Sequence, residues 1–292
     1  MDDTASSSEP PGWSWEQYED WLLREWARCL MANEDDEREI HRFLEQHPCL
    51  LPGGEADVTS IGGHHGPFPG AVVTEPPLQG TFKRTPDFIW PTKASGVFRP
   101  VFLELERSSK RWFRQDGQQT EELSQAITQI GEWRTWLDSE GNKLVFYEVY
   151  GISDWIQAYH KIQPIFRLVY GRRSEFIGDP KLTRQRESVR PDWLQWSTYD
   201  RLHPAANARH WVTARITDVG WKVVAIPPTF GIQPGWEDSL QGLIGLDAAI
   251  SSNELISDAR KAFLLDRLSK TKVKAAGQPR LWEKAIRDLK ET

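Results

Sequence analysis

At 292 residues, with 42 acidic and 36 basic side chains and a formal net charge of −6, the chain is long enough for one large domain or two modest ones. A charged fraction of 27% and a hydrophobic fraction of 39% exclude a disordered or fibrous class. No stretch approaches the roughly 18 apolar residues of a membrane span, and the start lacks the order of a signal peptide, so we expect a cytoplasmic protein without membrane contact.

The cysteine content and the distribution of charge along the chain indicate which kinds of site and partner to expect. Two cysteines, Cys29 and Cys49, without a CxxC pair or a histidine cluster, argue against a disulfide framework or a zinc site. Residues 1–60 hold 15 acids and 4 bases, a net of −11, which leaves +5 for the rest. The segment from Lys161 to Arg190 contains eight bases and three acids. This density of positive charge suits phosphate contacts, although a solvated basic face explains it equally well.

The first predicted elements are two helices behind a polar, flexible tail. In residues 14–31 apolar side chains recur at helical spacing, and Ser14 with Gln17 has the pattern of a capping box. A second helix, residues 36–46, ends before Pro48 because the residue before proline avoids the helical region. The acidic N-terminal segment is either an ordinary helical surface or a regulatory or assembly element that repels nucleic acid or covers the basic surface of residues 161–190, in which case deletion of residues 1–35 should raise DNA binding.

The middle of the chain has the pattern of a strand pair and a helix. Residues 52–80 are rich in Gly and Pro, which predicts a loop with at most one strand and few core contacts. The apolar runs 87–90 and 101–105, separated by a turn at 91–96, predict a β-hairpin. Residues 121–137 predict a helix with one apolar stripe, and Gln129 lies about 120° from the centre of that stripe.

The second half completes the predicted sheet. Residues 143–150 and 165–170 read as two strands joined by the helical stretch 153–162, which gives the order β, β, α, β, α, β. A third region is predicted to hold a hairpin around Val219-Gly220 and a helical tail from Trp236 to the C-terminus.

Three carboxylates stand out on the predicted hairpin. Asp87 opens one strand, and Glu104 and Glu106 are two apart on the next, so a period of two places both glutamates on one face. Glu104 interrupts the apolar run VFLEL, where a buried carboxylate is costly unless it is paired or bound to metal. Carboxylate oxygens are the ligands that Mg²⁺ and Mn²⁺ prefer, so a divalent-metal site is predicted. The alternative is a structural ion pair with a nearby base: Arg84, Arg107 or Lys110.

Six segments in chain order resemble the Shedu antiphage nuclease family, in the C-terminal domain of SduA. They are FLEQHPCLL, PDF at 86–88, LELER at 103–107, AITQIGEW at 126–133, LVYGRR at 168–173 and STYDRL at 197–202. The resemblance implies an α/β fold with a PD-(D/E)xK restriction-endonuclease-like core, a mixed central sheet flanked by helices. This core would occupy residues 36–203, between an acidic tail with an N-terminal helix at 1–35 and a β-hairpin plus helix extension at 204–292.

The resemblance also implies an activity: cleavage of DNA with Mg²⁺ or Mn²⁺ by a homo-oligomer in bacterial antiphage defence. By position, Asp87 and Glu104 match the metal-binding acids, and Gln129 matches a helix glutamine that accompanies such sites. The chain departs from the family at Glu106, where a lysine is usual. Glu106 would then be an additional metal ligand or a general base.

A second hypothesis is a nuclease fold that lost activity together with that lysine and now binds DNA or a partner within a defence complex. Absence of divalent-ion binding combined with salt-sensitive DNA affinity would favour it. Under either hypothesis Arg172 and Arg173, in the basic segment, are the candidate nucleic-acid contacts. The residue pattern itself is compatible with DNA and with RNA.

Overall fold

The computed structural model describes most of the chain. The described residues are 10–53, 66–67, 70–78, 85–94, 96–150, 152, 154–218, 220–232, 240 and 242–277. Some predicted features therefore lie wholly or largely outside the described residues. They are the N-terminal tail, Arg84, Val219, and residues 236–239 and 278–292 of the C-terminal helix.

Two helices begin the fold, as predicted. Helix α1 spans Trp15–Ala32, and its capping box is formed: the Gln17 N–H donates to Ser14 Oγ at 3.2 Å, and the Ser14 N–H donates to Gln17 Oε1 at 2.9 Å. Helix α2 spans Glu37–Gln46 and is capped by Asp36. The apolar stripe of α1 is buried in the main core: Tyr18, Leu22, Trp26 and Leu30. Deletion of residues 1–35 would therefore expose core surface as well as remove charge.

The strands of the described residues form one mixed sheet. They are β1 Gly66–Pro67, β2 Ala71–Thr74, β3 Phe88–Ala94, β4 Val97–Leu105, β5 Lys161–Ile162, β6 Ile165–Val169, β7 Leu194–Ser197, β8 Val212–Thr217, β9 Gly220–Ala225 and β10 Leu243–Ile244. The order across the sheet is β10-β9-β8-β2-β3-β4-β6-β7, with β1 paired to β3 and β5 to β4. β3 and β4 are antiparallel, whereas β4, β6 and β7 run parallel.

The predicted hairpin is confirmed, but its strands are longer than expected. Residues 91–94, predicted as a turn, continue β3 and pair with β4. The prediction of few core contacts for residues 52–80 was wrong in the part that is described, because β2 is fully buried and lies between β3 and β8. The run Ala71–Thr74 is β-like in the sequence, but its burial inside the sheet depends on pairing with β8, a segment far along the chain.

Residues 143–150 do not form the predicted strand. Residues 143–149 belong to helix α4, Glu140–Val149, and Tyr150 is its C-cap. Helix α4 follows α3, Glu121–Asp138, and precedes α5, Asp154–Tyr159. Because β4 and β6 are adjacent and parallel, the chain between them must cross a face of the sheet, and helices make that crossover. Phe146 and Tyr150 stack at 4.4 Å, one helical turn apart. The aromatic and β-branched composition that suggested a strand serves helix packing instead.

The C-terminal region joins the same sheet. The predicted hairpin is confirmed as β8 and β9, and β8 pairs in parallel with β2. Helices α7, Leu246–Ser252, and α8, Asp258–Gly277, follow this hairpin. Two elements that come before it in the chain were not predicted: helix α6, Pro180–Ser188, and the edge strand β7. One apolar cluster includes residues from the N-terminal, middle and C-terminal segments. No helix formed by the described residues combines the length and apolar character needed to cross a bilayer.

Candidate active site

The carboxyl groups of Asp87 and Glu104 lie side by side where β3 begins and β4 ends. The Asp87 N–H donates to the Leu103 carbonyl at 3.0 Å, and Asp87 Oδ2 accepts the Leu105 N–H at 2.7 Å. Glu104, between these two residues, is only 7% exposed and its carboxyl reaches hydrogen-bonding distance of the Asp87 carboxyl. The antiparallel register of β3 and β4 therefore brings the two predicted metal ligands together.

The electrostatic environment of Asp87 strongly favours its protonated form. Burial raises its pKa to about 8, and the negative charges of Glu37 and Glu106 act in the same direction, against the hydrogen bonds from Leu105 and Glu104. The Asp87 side chain nevertheless retains 22% exposure, so a hydrated cation can reach it. A nearby cation would offset the repulsion that raises this pKa.

Gln129 is part of this centre. Its Nε2 donates to Glu104 Oε1 from helix α3, which packs on the sheet. The buried face of this helix includes Ala126, Trp133 and Trp136, which lie on the Gln129 side of the stripe predicted from the sequence, so Gln129 lies nearer the buried face than predicted. Its contact with Glu104 is compatible with the role that the resemblance implies, and that role stays a prediction.

Glu106 has a different partner from the other acids. Its carboxylate forms an ion pair with Lys110 Nζ, and these side chains are 13% and 17% exposed. Its backbone N–H donates to the Val169 carbonyl at 3.1 Å, which continues the β4–β6 ladder by one residue. The structural ion pair considered as an alternative is thus present at Glu106, while Glu104 contacts Gln129 and Asp87.

Helix α2 supplies two residues that the sequence-based prediction missed. The Glu37 carboxylate accepts the Arg107 N–H, and burial together with the charge of Glu106 raises the pKa of Glu37. The His41 ring stacks on Phe88 at 4.6 Å, with Nε2 3.9 Å from Asp87 Oδ1. Burial lowers the pKa of His41, which favours the neutral imidazole. Their i,i+4 spacing was a visible signal of a shared helix face.

Tyr199, from the STYDRL segment, contacts the backbone of this centre. Its hydroxyl donates to the Glu106 carbonyl at 2.6 Å. Burial raises the pKa of Tyr199 well above its ordinary value, and four acids add to that shift: Asp87, Glu37, Glu106 and Glu104. Tyr199 thus holds the backbone at Glu106 and faces the whole acidic group.

This donor set fits a divalent cation that keeps most of its water. Among the described residues, no group of three or more His, Cys, Asp or Glu side chains is arranged as a complete metal site. Mg²⁺ is commonly held by one or two carboxylates together with water and substrate phosphates. Asp87 and Glu104 match that requirement, beside a cleft of about 320 Å³ that Glu37, His41 and Asp87 help to line.

The two predicted nucleic-acid contacts differ in their surroundings. Arg172 Nη2 lies 2.9 Å from Asp200 Oδ1, and Arg172 Nη1 lies 3.5 Å from Glu34 Oε1. The backbone N–H of Arg173 donates to Asp200, and its side chain is exposed. A role in binding nucleic acid stays a prediction for both residues, with Arg173 the more accessible.

Gly171, in the LVYGRR segment, allows the loop after β4 to lie against the end of β6. Its φ is +60°, and a Cβ there would stand 2.6 Å from the Lys110 carbonyl oxygen and 2.9 Å from Trp112 Nε1. Gly171→Ala is therefore expected to lower the free energy of unfolding by about 2–4 kcal/mol, since a left-handed conformation and a backbone clash combine. Denaturant titration measures this loss.

Gly178→Ala is the matched control for that substitution. Gly178 has φ +79° but no atom within 4 Å of its added Cβ, so only the conformational cost of about 1–2 kcal/mol applies. Equal losses in the two variants would contradict the close approach at Gly171.

Comparison with protein families assigns most of the middle of the chain. A family model described as Shedu protein SduA, C-terminal, matches residues 34–203, more than half of the chain. No curated protein matches the chain. The matched residues include every acid of the centre together with Gln129, Lys110 and Tyr199, and end before β8.

Proposed function

Because this chain belongs to the Shedu SduA C-terminal family, which implies a role in antiphage defence, we propose that it is a divalent-metal-dependent DNA endonuclease. The observation that carries the proposal is the contact between the Asp87 and Glu104 carboxyls at adjacent strand ends. A mixed sheet with paired acids at this position supports a PD-(D/E)xK core.

Asp87 and Glu104 would hold Mg²⁺ or Mn²⁺ in this proposal. When bound, the cation supplies positive charge to a phosphate and lowers the pKa of water. The protein's own contribution is orientation: the Leu105 N–H fixes Asp87, and Gln129 fixes Glu104. Fixed ligands reduce the reorganisation needed when the substrate arrives.

Plasmid cleavage tests the proposal. The parent should convert supercoiled plasmid to nicked or linear DNA with Mn²⁺ but not with EDTA. Glu104→Gln should slow cleavage by at least about 100-fold, because it removes charge at the cation. Glu140→Gln is the control, since Glu140 is 84% exposed at the start of α4. Intact plasmid across salt and pH, or equal rates for parent and Glu104→Gln, would contradict the proposal.

One observation favours the second candidate, an inactive nuclease fold that binds DNA or a partner. Glu106 stands where the family usually has a lysine, and the Glu106 carboxylate is already paired with Lys110. Under this candidate, calorimetry would detect no Mn²⁺ binding while DNA affinity remained salt-sensitive. Homo-oligomer formation, which the resemblance implies for both candidates, is measured by light scattering of the purified chain.

A further inference from the structure

Lys110 lies off the strands, yet its ammonium reaches the acidic centre. A turn closed by the Lys110 N–H and the Arg107 carbonyl, 3.1 Å apart, folds the chain back after β4. Lys110 Nζ then meets the Glu106 carboxylate, and its charge also acts on Glu37. The ammonium therefore lies beside the side chain of Glu106, the position at which the resemblance implies a lysine, although Lys110 itself comes four residues later.

The loop that carries Lys110 is held from several sides. The Glu175 carboxylate accepts the N–H groups of Trp112 and Phe113 at 2.9 and 3.0 Å. Trp112 Nε1 donates to the Tyr170 carbonyl at 3.1 Å, and the Ser109 N–H donates to the Glu34 carbonyl at 3.0 Å. With this many anchors the ammonium is placed before any ligand binds, as an electrostatic contact at a reacting phosphate requires.

From this geometry we infer that Lys110 contacts the DNA phosphate at the cleavage site, and that Glu106 is its positioning residue and not a metal ligand. The inference rests on the proposed function for its catalytic part. Four carboxylates surround the centre, so a phosphate can approach only if cations offset them. The Lys110 ammonium offsets the charge of one of these carboxylates, Glu106, and with only 17% exposure it is little screened by bulk solvent.

Four purified full-length proteins test the inference: the parent, Lys110→Met, the charge swap Glu106→Lys/Lys110→Glu, and the control Lys270→Met. Lys270 forms an i,i+4 pair with Asp266, like the Glu106–Lys110 pair, but it is 70% exposed on α8. Three quantities are measured: Mn²⁺ affinity by calorimetry, affinity for a DNA duplex in Ca²⁺ at several salt concentrations, and plasmid cleavage in Mn²⁺.

Lys110→Met should weaken duplex binding about 5- to 10-fold, lower the salt slope by about one, and slow cleavage about 100-fold. Its Mn²⁺ affinity should stay the same or rise, because a positive charge near the cation has been removed. The swap should recover cleavage to within about 10-fold of the parent, since it returns an ammonium to the same ion pair. A purely structural ion pair would instead give weaker Mn²⁺ binding with an unchanged salt slope.

The remaining outcomes of these measurements also decide whether Lys110 contacts the phosphate. The inference is overturned if Lys110→Met matches Lys270→Met in affinity, slope and rate, or if the swap is no faster than Lys110→Met. If the parent binds duplex but does not cleave, the nuclease proposal fails, while the salt slope still decides the phosphate contact. If the parent does not bind duplex, both are overturned.

Discussion

Asp87→Asn is expected to abolish Mn²⁺-dependent cleavage and at the same time to raise the melting temperature of the metal-free protein. Asparagine keeps an oxygen that can accept the Leu105 N–H, so the local fold is preserved. The substitution removes the negative charge that would hold a cation at this site. A loss of several kcal/mol of transition-state stabilisation corresponds to a cleavage rate lower by about 10³-fold or more. Cleavage assays and thermal melts in EDTA measure the two effects.

The rise in melting temperature separates a functional carboxylate from a structural one. Asp87 is buried against other acids, so its ionised form destabilises the metal-free fold. Asp87→Ala is the matched comparison, since it removes the same charge and also the acceptor of the Leu105 N–H, and it should be less stable than Asp87→Asn. An Asp87→Asn protein that melts lower than the parent, or that cleaves at the parental rate, would contradict this account.

Stability of the metal-free protein should fall as pH rises from about 4 to 8, relative to Asp87→Asn. The folded-state pKa of Asp87, about 8, lies above its ordinary value of 3.8, so the folded state binds more protons than the unfolded state in this window. The free energy of unfolding then decreases with pH until Asp87 is ionised in both states. Denaturant titrations of parent and Asp87→Asn at several pH values isolate this contribution.

Divalent cations should reverse that loss at the alkaline end. A cation that binds only the folded state adds about 2.7 kcal/mol when its concentration is 100 times its dissociation constant. The parent should therefore gain stability from Mn²⁺ at pH 8, and Asp87→Asn should gain far less. An equal gain in both proteins would place the cation elsewhere, and a pH profile identical in both would show that burial and the neighbouring acids do not raise the pKa of Asp87.

The sequence predicted the central pair because its signals are local. Alternation and an interrupted apolar run placed Asp87 and Glu104 on neighbouring strands, and Ser14 with Gln17 marked the start of α1. The strand predicted at 143–150 failed because its aromatic and β-branched composition is shared by strands and by helices packed on a sheet. Its helical state follows from the parallel pairing of β4 with β6, a contact between distant segments.

The remaining site residues depend on contacts that span long stretches of sequence. Glu37 and His41 reach the centre only because α2 packs beside β3, about fifty residues later in the chain. Lys110 does so only because Gly171 permits the loop after β4 to approach β6. A single sequence contains no local signal for such approaches. The i,i+4 spacing of Glu37 and His41 indicates their shared helix face but not what lies opposite it.

Anomalous diffraction from crystals soaked in Mn²⁺ tests the central claim most directly. The account predicts an anomalous peak within bonding distance of both the Asp87 and Glu104 carboxylates, and its absence in Asp87→Asn crystals soaked in parallel. A peak bound only by other residues, or accessible Asp87 and Glu104 carboxylates without a peak at saturating Mn²⁺, would contradict it.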